Sequence, residues 1–245
     1  MPQPSRRPCL RPLLVWAVAV PYLALAVTTG FLFAPFLGRR RAFWLLAPGW
    51  IRQMAVLFGL GRRLVGWENL PEDLRLSRHP AIFIANHASF FDPPLLISTL
   101  PSRPVFLVKK ELAYVPFLGW VIWLAGFIFV DRRKGSRAVA SLKAAARQIR
   151  QGQSIAAFPE GTRTRTGELL PFKRGVFALA LEAGVPVVPM AIQGGLEVLP
   201  ADDWRVKPTN YAIRVGQPLH PKDFPDAQAL MLEAENAVRR LMCEA

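Results

Sequence analysis

The first sixty residues are almost continuously apolar, and the remainder alternates short apolar runs with polar breaks. Leu13 to Leu37 is an uncharged run of 25 residues, longer than the ~20 that carry a helix across a bilayer. Pro21, Gly30 and Pro35 interrupt it. Arg6, Arg7 and Arg11 before the run are matched by Arg39, Arg40 and Arg41 after it, so flanking charge assigns no orientation. A second apolar stretch, Ala42 to Leu60, carries one charge, Arg52, and the interfacial aromatics Trp44 and Trp50. Two readings stay open: one spanning helix, or helices embedded in a single leaflet. Ala24-Leu25-Ala26 has the form of a signal-peptidase site, but Phe31-Leu32-Phe33 and Phe36-Leu37 prolong the run beyond it, which disfavours cleavage. Residues 1–62 are therefore expected to anchor the chain to a membrane and residues 63–245 to form its main domain.

Within that domain, short β-branched and aromatic runs bounded by polar residues read as buried strands. They are Leu64 to Asn69, Ala81 to Ile84, Pro104 to Val108, Gly126 to Val130, Ser154 to Phe158, Val185 to Ile192 and Tyr211 to Val215. Leu112 to Val130 carries no charge, but Pro116, Gly119 and Gly126 break it. It reads as a short apolar helix, part core and part lipid-facing, leading into the Gly126 strand. Helices are expected from Pro93, from a Ser136 cap to just before Gly152, near Gly175 to Glu182, and from about Asp226 to Met242. Apolar strands alternating with helices imply an α/β fold, a mostly parallel central sheet flanked by helices. In such folds ligand sites gather beyond the carboxyl ends of the strands. His87, Lys109, Arg132 and Glu160 each follow an expected strand and should converge on one edge.

Composition narrows the partners. Thirty-one basic residues against seventeen acidic leave a net charge of +14, which selects anionic partners: nucleic acid or an anionic lipid surface. Aromatic residues sit mostly inside apolar runs rather than among the basic ones, which disfavours base stacking. Cys9 and Cys243 lie near opposite termini and form neither a disulfide framework nor a metal site. With three histidines in the chain, a structural zinc is not expected.

The chemistry is concentrated at Asn86-His87-Ala88-Ser89-Phe90-Phe91-Asp92. On one continuous helix, His87 and Asp92 would face different ways. With His87 in the loop after a strand and Asp92 opening the next helix at its N-cap, ahead of Pro93, the carboxylate can turn back to the imidazole. A histidine held so keeps one tautomer and accepts a proton at its other nitrogen. Arg132 and Arg163 place guanidinium forks on neighbouring loops, suited to phosphate oxygens, whereas Lys109 acts as a point charge. Glu160 could hold substrate hydroxyls or orient Arg163, and Gly161 permits close backbone approach. There is no G-x-S-x-G elbow, no Walker A loop and no H-E-x-x-H in the chain, and Ser89 stands too near His87 in sequence to serve readily as a nucleophile.

Asn86 to Asp92 resembles the first sequence block of the glycerolipid acyltransferases, the 1-acylglycerol-3-phosphate acyltransferases. Gly126 to Arg132 resembles the second block, Phe158-Pro159-Glu160-Gly161-Thr162-Arg163 the third and Val187-Val188-Pro189-Met190 the fourth. The resemblance implies acyl transfer from acyl-CoA or acyl carrier protein to the hydroxyl of lysophosphatidate, without cofactor or metal. It implies His87 as the base, steadied by Asp92. It implies Arg132, Glu160, Gly161, Thr162 and Arg163 as ligands of the glycerol phosphate, with Lys109 a weaker one. Membrane lipids rather than nucleic acid become the expected partners, at the inner membrane with the catalytic domain on the cytoplasmic face. Other readings remain: transfer to a different lyso-lipid such as a lyso-aminolipid, a non-catalytic lipid binder, or a lipid hydrolase, the last disfavoured by the missing nucleophile.

Overall fold

The computed structural model of the chain describes residues 10–131, 136–199 and 205–244. Its helices are α1 (Leu10–Leu37), α2 (Arg39–Leu57), α3 (Glu72–Arg75), α4 (Asp92–Thr99), α5 (Leu118–Ala125), α6 (Ser136–Arg150), α7 (Gly175–Ala183), α8 (Gly195–Val198) and α9 (Ala227–Cys243). Its strands are β1 (Leu60–Val65), β2 (Ile82–Ala85), β3 (Val105–Lys109), β4 (Ile128–Val130), β5 (Ile155–Ala157), β6 (Val187–Gln193) and β7 (Thr209–Val215). The strands form one seven-stranded sheet in the order β1-β7-β6-β2-β5-β3-β4. Every neighbouring pair is parallel except β6 with β7. The expectation of a mostly parallel sheet with helices on both faces is met.

Period-two alternation sorts the side chains of the central strands. Ile82 and Ile84 of β2 join Val105, Ile155 and Val187 beneath α6, α7 and α9, where Ala146, Ile149, Phe177, Leu230 and Val238 close the layer. Phe83 and Ala85 face the other way, into a cluster with Phe106, Val188, Met190 and Tyr211, covered by Phe43, Trp44 and Ala55 of α2 and Leu95 and Leu96 of α4. Burial on both faces is what makes these strands read as unbroken apolar runs.

Two elements differ from the pattern-based reading. The first strand runs from Leu60 to Val65, earlier than Leu64 to Asn69, and the latter segment ends in a tight turn at Trp67–Asn69. Gly66 stops the strand: its φ is +83°, and a Cβ there would lie 2.5 Å from the carbonyl oxygen of Val215. Trp67 leaves the strand direction to stack on Phe83, ring centroids 5.8 Å apart. The strand was hidden because Gly61-Arg62-Arg63 give it a polar face at the sheet edge. Because β1 begins at Leu60, the boundary drawn at residue 62 falls inside it. Second, α1 and α2 are antiparallel partners across a turn at Gly38 and both pack onto the domain.

Candidate active site

Strand β2 carries the site. β3, β4 and β5 lie to one side of it, and β6, β7 and β1 to the other, so β2 ends at the point where the chain switches direction across the sheet. That is where α/β sheets open a crevice beyond their strands. Asn86, buried just past the end of β2, accepts from Ile192 N–H at 2.7 Å through Oδ1 and donates to the Ile192 carbonyl at 3.0 Å through Nδ2. It extends the β2–β6 ladder by a side chain and fixes the exit of the loop.

His87 follows. Its Nδ1 lies 2.8 Å from Asp92 Oδ2, and Asp92 is fully buried. The same oxygen accepts from Ala88 N–H at 2.8 Å and Ser89 N–H at 2.7 Å. Tyr211 donates its hydroxyl to the other oxygen, Oδ1, at 3.2 Å. Donors surround Asp92 on every side, so the ring nitrogen facing it carries the proton, and the lone pair of His87 sits at Nε2. The imidazole lies flat on Phe158, with centroids 4.1 Å apart and planes 18° apart.

The placement of Asp92 corrects one detail. It occupies the first turn of α4 and makes no side-chain cap of that helix. The carboxylate folds backward onto the preceding turn, because the amides of Ala88 and Ser89 and the imidazole compete for it successfully. Gly195 at the start of α8 presses against it: a Cβ at that position would come within 2.9 Å of Asp92 Oδ1.

Glu160 stands 2% exposed, its carboxylate turned to two backbone amides. Oε1 accepts from the backbone N–H of His87 at 2.7 Å and Oε2 from that of Leu170 at 3.0 Å. Burial is the main influence on its carboxyl and raises its pKa to about 7, the two amides pulling the other way and the charges of Asp92 and Glu235 adding to the rise. The loop of Glu160 is tied to the His87 loop again where Thr164 N–H donates to the His87 carbonyl at 2.8 Å.

The remaining sequence-derived residues divide. Arg163 joins the site: its guanidinium carbon lies 4.4 Å from the centre of the Phe90 ring, on the His87 loop. Thr162 is exposed on the same loop. Gly161 has φ +76°, and a Cβ there would lie 2.6 Å from Lys173 Nζ, so this glycine makes room for an ammonium group. Lys109 ends β3 on the same sheet edge but is exposed, 3.9 Å from Glu111. Its neighbour Lys110 is ion-paired with Asp131. Arg132 lies outside the described residues.

Ser89 is fully buried, donating to the Leu199 carbonyl and accepting from Phe91 N–H, so it does not present a nucleophile. Among the described residues no three His, Cys, Asp or Glu side chains gather as metal ligands. Sequence reasoning missed Tyr211, Lys173 and the ring of Phe158 as parts of the site. Tyr211 stands 119 residues from Asp92 in an ordinary apolar strand, and no local signal marks it.

Beside the site lies an apolar cavity of about 320 Å³ between α1, α2, α4 and α5. Phe91 and Pro94, close to Asp92 in the chain, line it together with Tyr22, Val27, Phe43 and Trp50.

A buried carboxylate against an imidazole, at the switch point of an α/β sheet and beside an apolar chamber, is an arrangement that can take a proton from a hydroxyl. The chain belongs to the Acyltransferase family, whose profile matches residues 62–193. It is 38% identical over 154 residues to the 1-acyl-sn-glycerol-3-phosphate acyltransferase of Saccharomyces cerevisiae, covering 62% of this chain and 49% of that protein. It is 34% identical over 178 residues to the enzyme of the same name from Cocos nucifera, with 64% and 58% covered. The Haemophilus influenzae enzyme of that name is 38% identical over 143 residues, with 58% and 57% covered. The matches thus span about half to three fifths of these relatives' lengths. The crystal structure of the 1-acyl-sn-glycerophosphate acyltransferase PlsC from Thermotoga maritima superposes with a TM-score of 0.77 at 26% identity, covering 95% of this chain and 93% of that one.

Proposed function

We propose that the protein transfers a fatty acyl group from a thioester, acyl-CoA or acyl carrier protein, to the free hydroxyl of lysophosphatidate, forming phosphatidate. The 2.8 Å contact between His87 Nδ1 and Asp92 Oδ2 carries the reading. With Nδ1 occupied, Nε2 takes the proton from the acceptor hydroxyl as its oxygen attacks the thioester carbonyl. The C–O ester bond forms, the C–S bond breaks, and the thiolate leaves and is reprotonated from His87. Asp92 stabilises the imidazolium between those events. A direct attack needs no acyl-enzyme, in keeping with the buried, engaged Ser89.

Arg163 and Arg132 supply guanidinium groups for the phosphate, with Gly161 and Thr162 on the same loop, and Lys173 adds a cation beside Gly161. Glu160 acts as a support that holds the His87 backbone. The apolar cavity receives acyl chain. Trp16, Ala19, Tyr22, Val27 and Gly30 of α1 line it together with residues of α4 and α5, so α1 lies along the domain for much of its length. A helix so fastened places the domain against the bilayer, and the α1–α2 hairpin is read as embedded from one side, the inner-membrane surface facing the cytoplasm.

The test is an acceptor panel in membranes, lysophosphatidate beside other lyso-lipids, each with both thioester donors. Lysophosphatidate is expected to be the preferred acceptor, and preference for an acceptor lacking phosphate would reassign the substrate. His87→Ala should lower turnover at least about a thousandfold while the protein stays membrane-bound; turnover equal to the parent's removes the general-base role. Arg163→Ala should raise the acceptor KM by about tenfold or more, and the donor KM little.

A further inference from the structure

The segment Tyr114–Trp123 leaves its aromatic side chains uncovered. Tyr114 is 86% exposed, Trp120 52% and Trp123 49%, with Val115 and Phe117 also exposed. Four such aromatics on about ten residues exceed the scatter of single apolar side chains that ordinary surfaces carry. The opposite face of α5 is buried through Gly119, Ile122, Leu124 and Ala125, so the helix is packed through that face and its aromatics lie on the more exposed one. Gly119 fixes this close seating, since a Cβ there would lie 2.3 Å from the Ala113 carbonyl oxygen.

The turn that presents the aromatics is strained. Phe117 has φ +60°, a region that bulky L-residues avoid at a cost. Its ring meets Trp120 edge to face at 5.3 Å. The surface is continuous with the anchor: Phe31 of α1 stacks on Trp123 at 6.0 Å and meets Trp120 at 6.5 Å. Arg39, opening α2, sits 4.9 Å over the Trp123 ring and donates to the Trp123 carbonyl. Arg41 near the start of α2 is exposed, as is Lys109, which lies 3.9 Å from Glu111 just before the segment, and no acidic residue occurs between Leu112 and Val130.

We propose that Tyr114–Trp123 is a second membrane-insertion element, adjoining the α1–α2 hairpin, that sits in the headgroup region of an anionic bilayer. Tyrosine and tryptophan suit that zone because each pairs a large apolar ring with a polar edge, and arginine and lysine at the rim meet lipid phosphates. The Lys110–Tyr114 turn follows directly on the carboxyl end of β3, the sheet edge that also carries His87. Insertion here brings that edge to headgroup level, where a lyso-lipid hydroxyl lies. The proposal rests on the membrane reading of α1 and goes beyond it.

The experiment uses the full chain with Cys9→Ser and Cys243→Ser, carrying one environment-sensitive fluorophore through Tyr114→Cys, Leu32→Cys or Gln228→Cys. Vesicles contain phosphatidylcholine and phosphatidylglycerol with brominated chains, and iodide serves as the aqueous quencher. Quenching by bromolipid at positions 32 and 114, with position 228 reached only by iodide, is expected. Quenching at 32 with iodide reaching 114 overturns the second element and leaves the anchor standing. Protection at 114 from both quenchers means that protein covers the surface, a second copy or another partner, and also overturns it. No lipid quenching at 32 overturns the membrane reading itself and this proposal with it. Independently, Tyr114→Asp with Trp120→Asp should raise the KM for lysophosphatidate in vesicles about tenfold or more, with the KM for a micelle-dispersed short-chain acceptor unchanged; equal shifts in both would point to damage within the site and count against the proposal.

Discussion

Asp92 takes four donors on two oxygens: His87 Nδ1, the amides of Ala88 and Ser89, and the Tyr211 hydroxyl. A fully buried carboxylate survives only when its charge is met in this way. Tyr211 is itself buried, and burial with the neighbouring Asp92 charge pushes its hydroxyl well above the usual phenol range, so it remains a donor throughout the working pH range. Tyr211→Phe should lower kcat about three- to tenfold with little change in acceptor KM, as expected for a group that acts through Asp92; steady-state kinetics in membranes reads both. Glu160 offers a pH test. Its pKa is raised to about 7, above the ordinary carboxyl value, so between about pH 4.5 and 7 the folded protein holds a proton that the unfolded chain has lost. The stability of the parent should therefore fall across that window relative to Glu160→Gln, by on the order of 2 kcal/mol, and level off above it. Thermal unfolding in detergent at a series of pH values checks the sign; a parent that gains on the variant as pH rises would mean that the two amides outweigh burial.

At the scale of elements, the site is a junction of loops, and side chains bind the loops to the sheet. Asn86 joins the end of β2 to Ile192 of β6 through both its amide groups. Asn86→Ala leaves two buried backbone groups without these partners and should cost about 2–4 kcal/mol, measured by denaturant unfolding, with a loss of turnover as the His87 loop loosens. The blocks of residues around His87 and Glu160 were legible in the sequence because strand, loop and helix-start signals are local. The β1 strand and the inward turn of Glu160 were not. Edge-strand polarity masked the first, and the second depends on amides of His87 and Leu170 that no spacing rule relates to it.

At the scale of the whole molecule, part of the apolar N-terminal region is built into the core of the sheet domain. Phe43, Trp44 and Ala55 of α2 are buried in the same cluster as Phe83 of β2 and Tyr211 of β7, and β1 follows α2 almost directly. A chain beginning at residue 63 would lack that cover and part of β1. It should aggregate or bind hydrophobic dyes rather than yield a compact monomer, as size-exclusion chromatography and dye fluorescence would show; a stable, monodisperse product would restore the two-part division.

Length, hydropathy and the local order of residues settled what the chain by itself can settle: an α/β sheet, an apolar N-terminal region, and a histidine with its carboxylate on adjacent turns. Those features act over a few residues, and local propensity and burial are enough to specify them. Only the folded chain decided that Tyr211 secures Asp92, that Glu160 supports His87, and that α2 belongs to the core. Each of these depends on groups far apart in sequence, brought within bonding distance by the order of strands in the sheet.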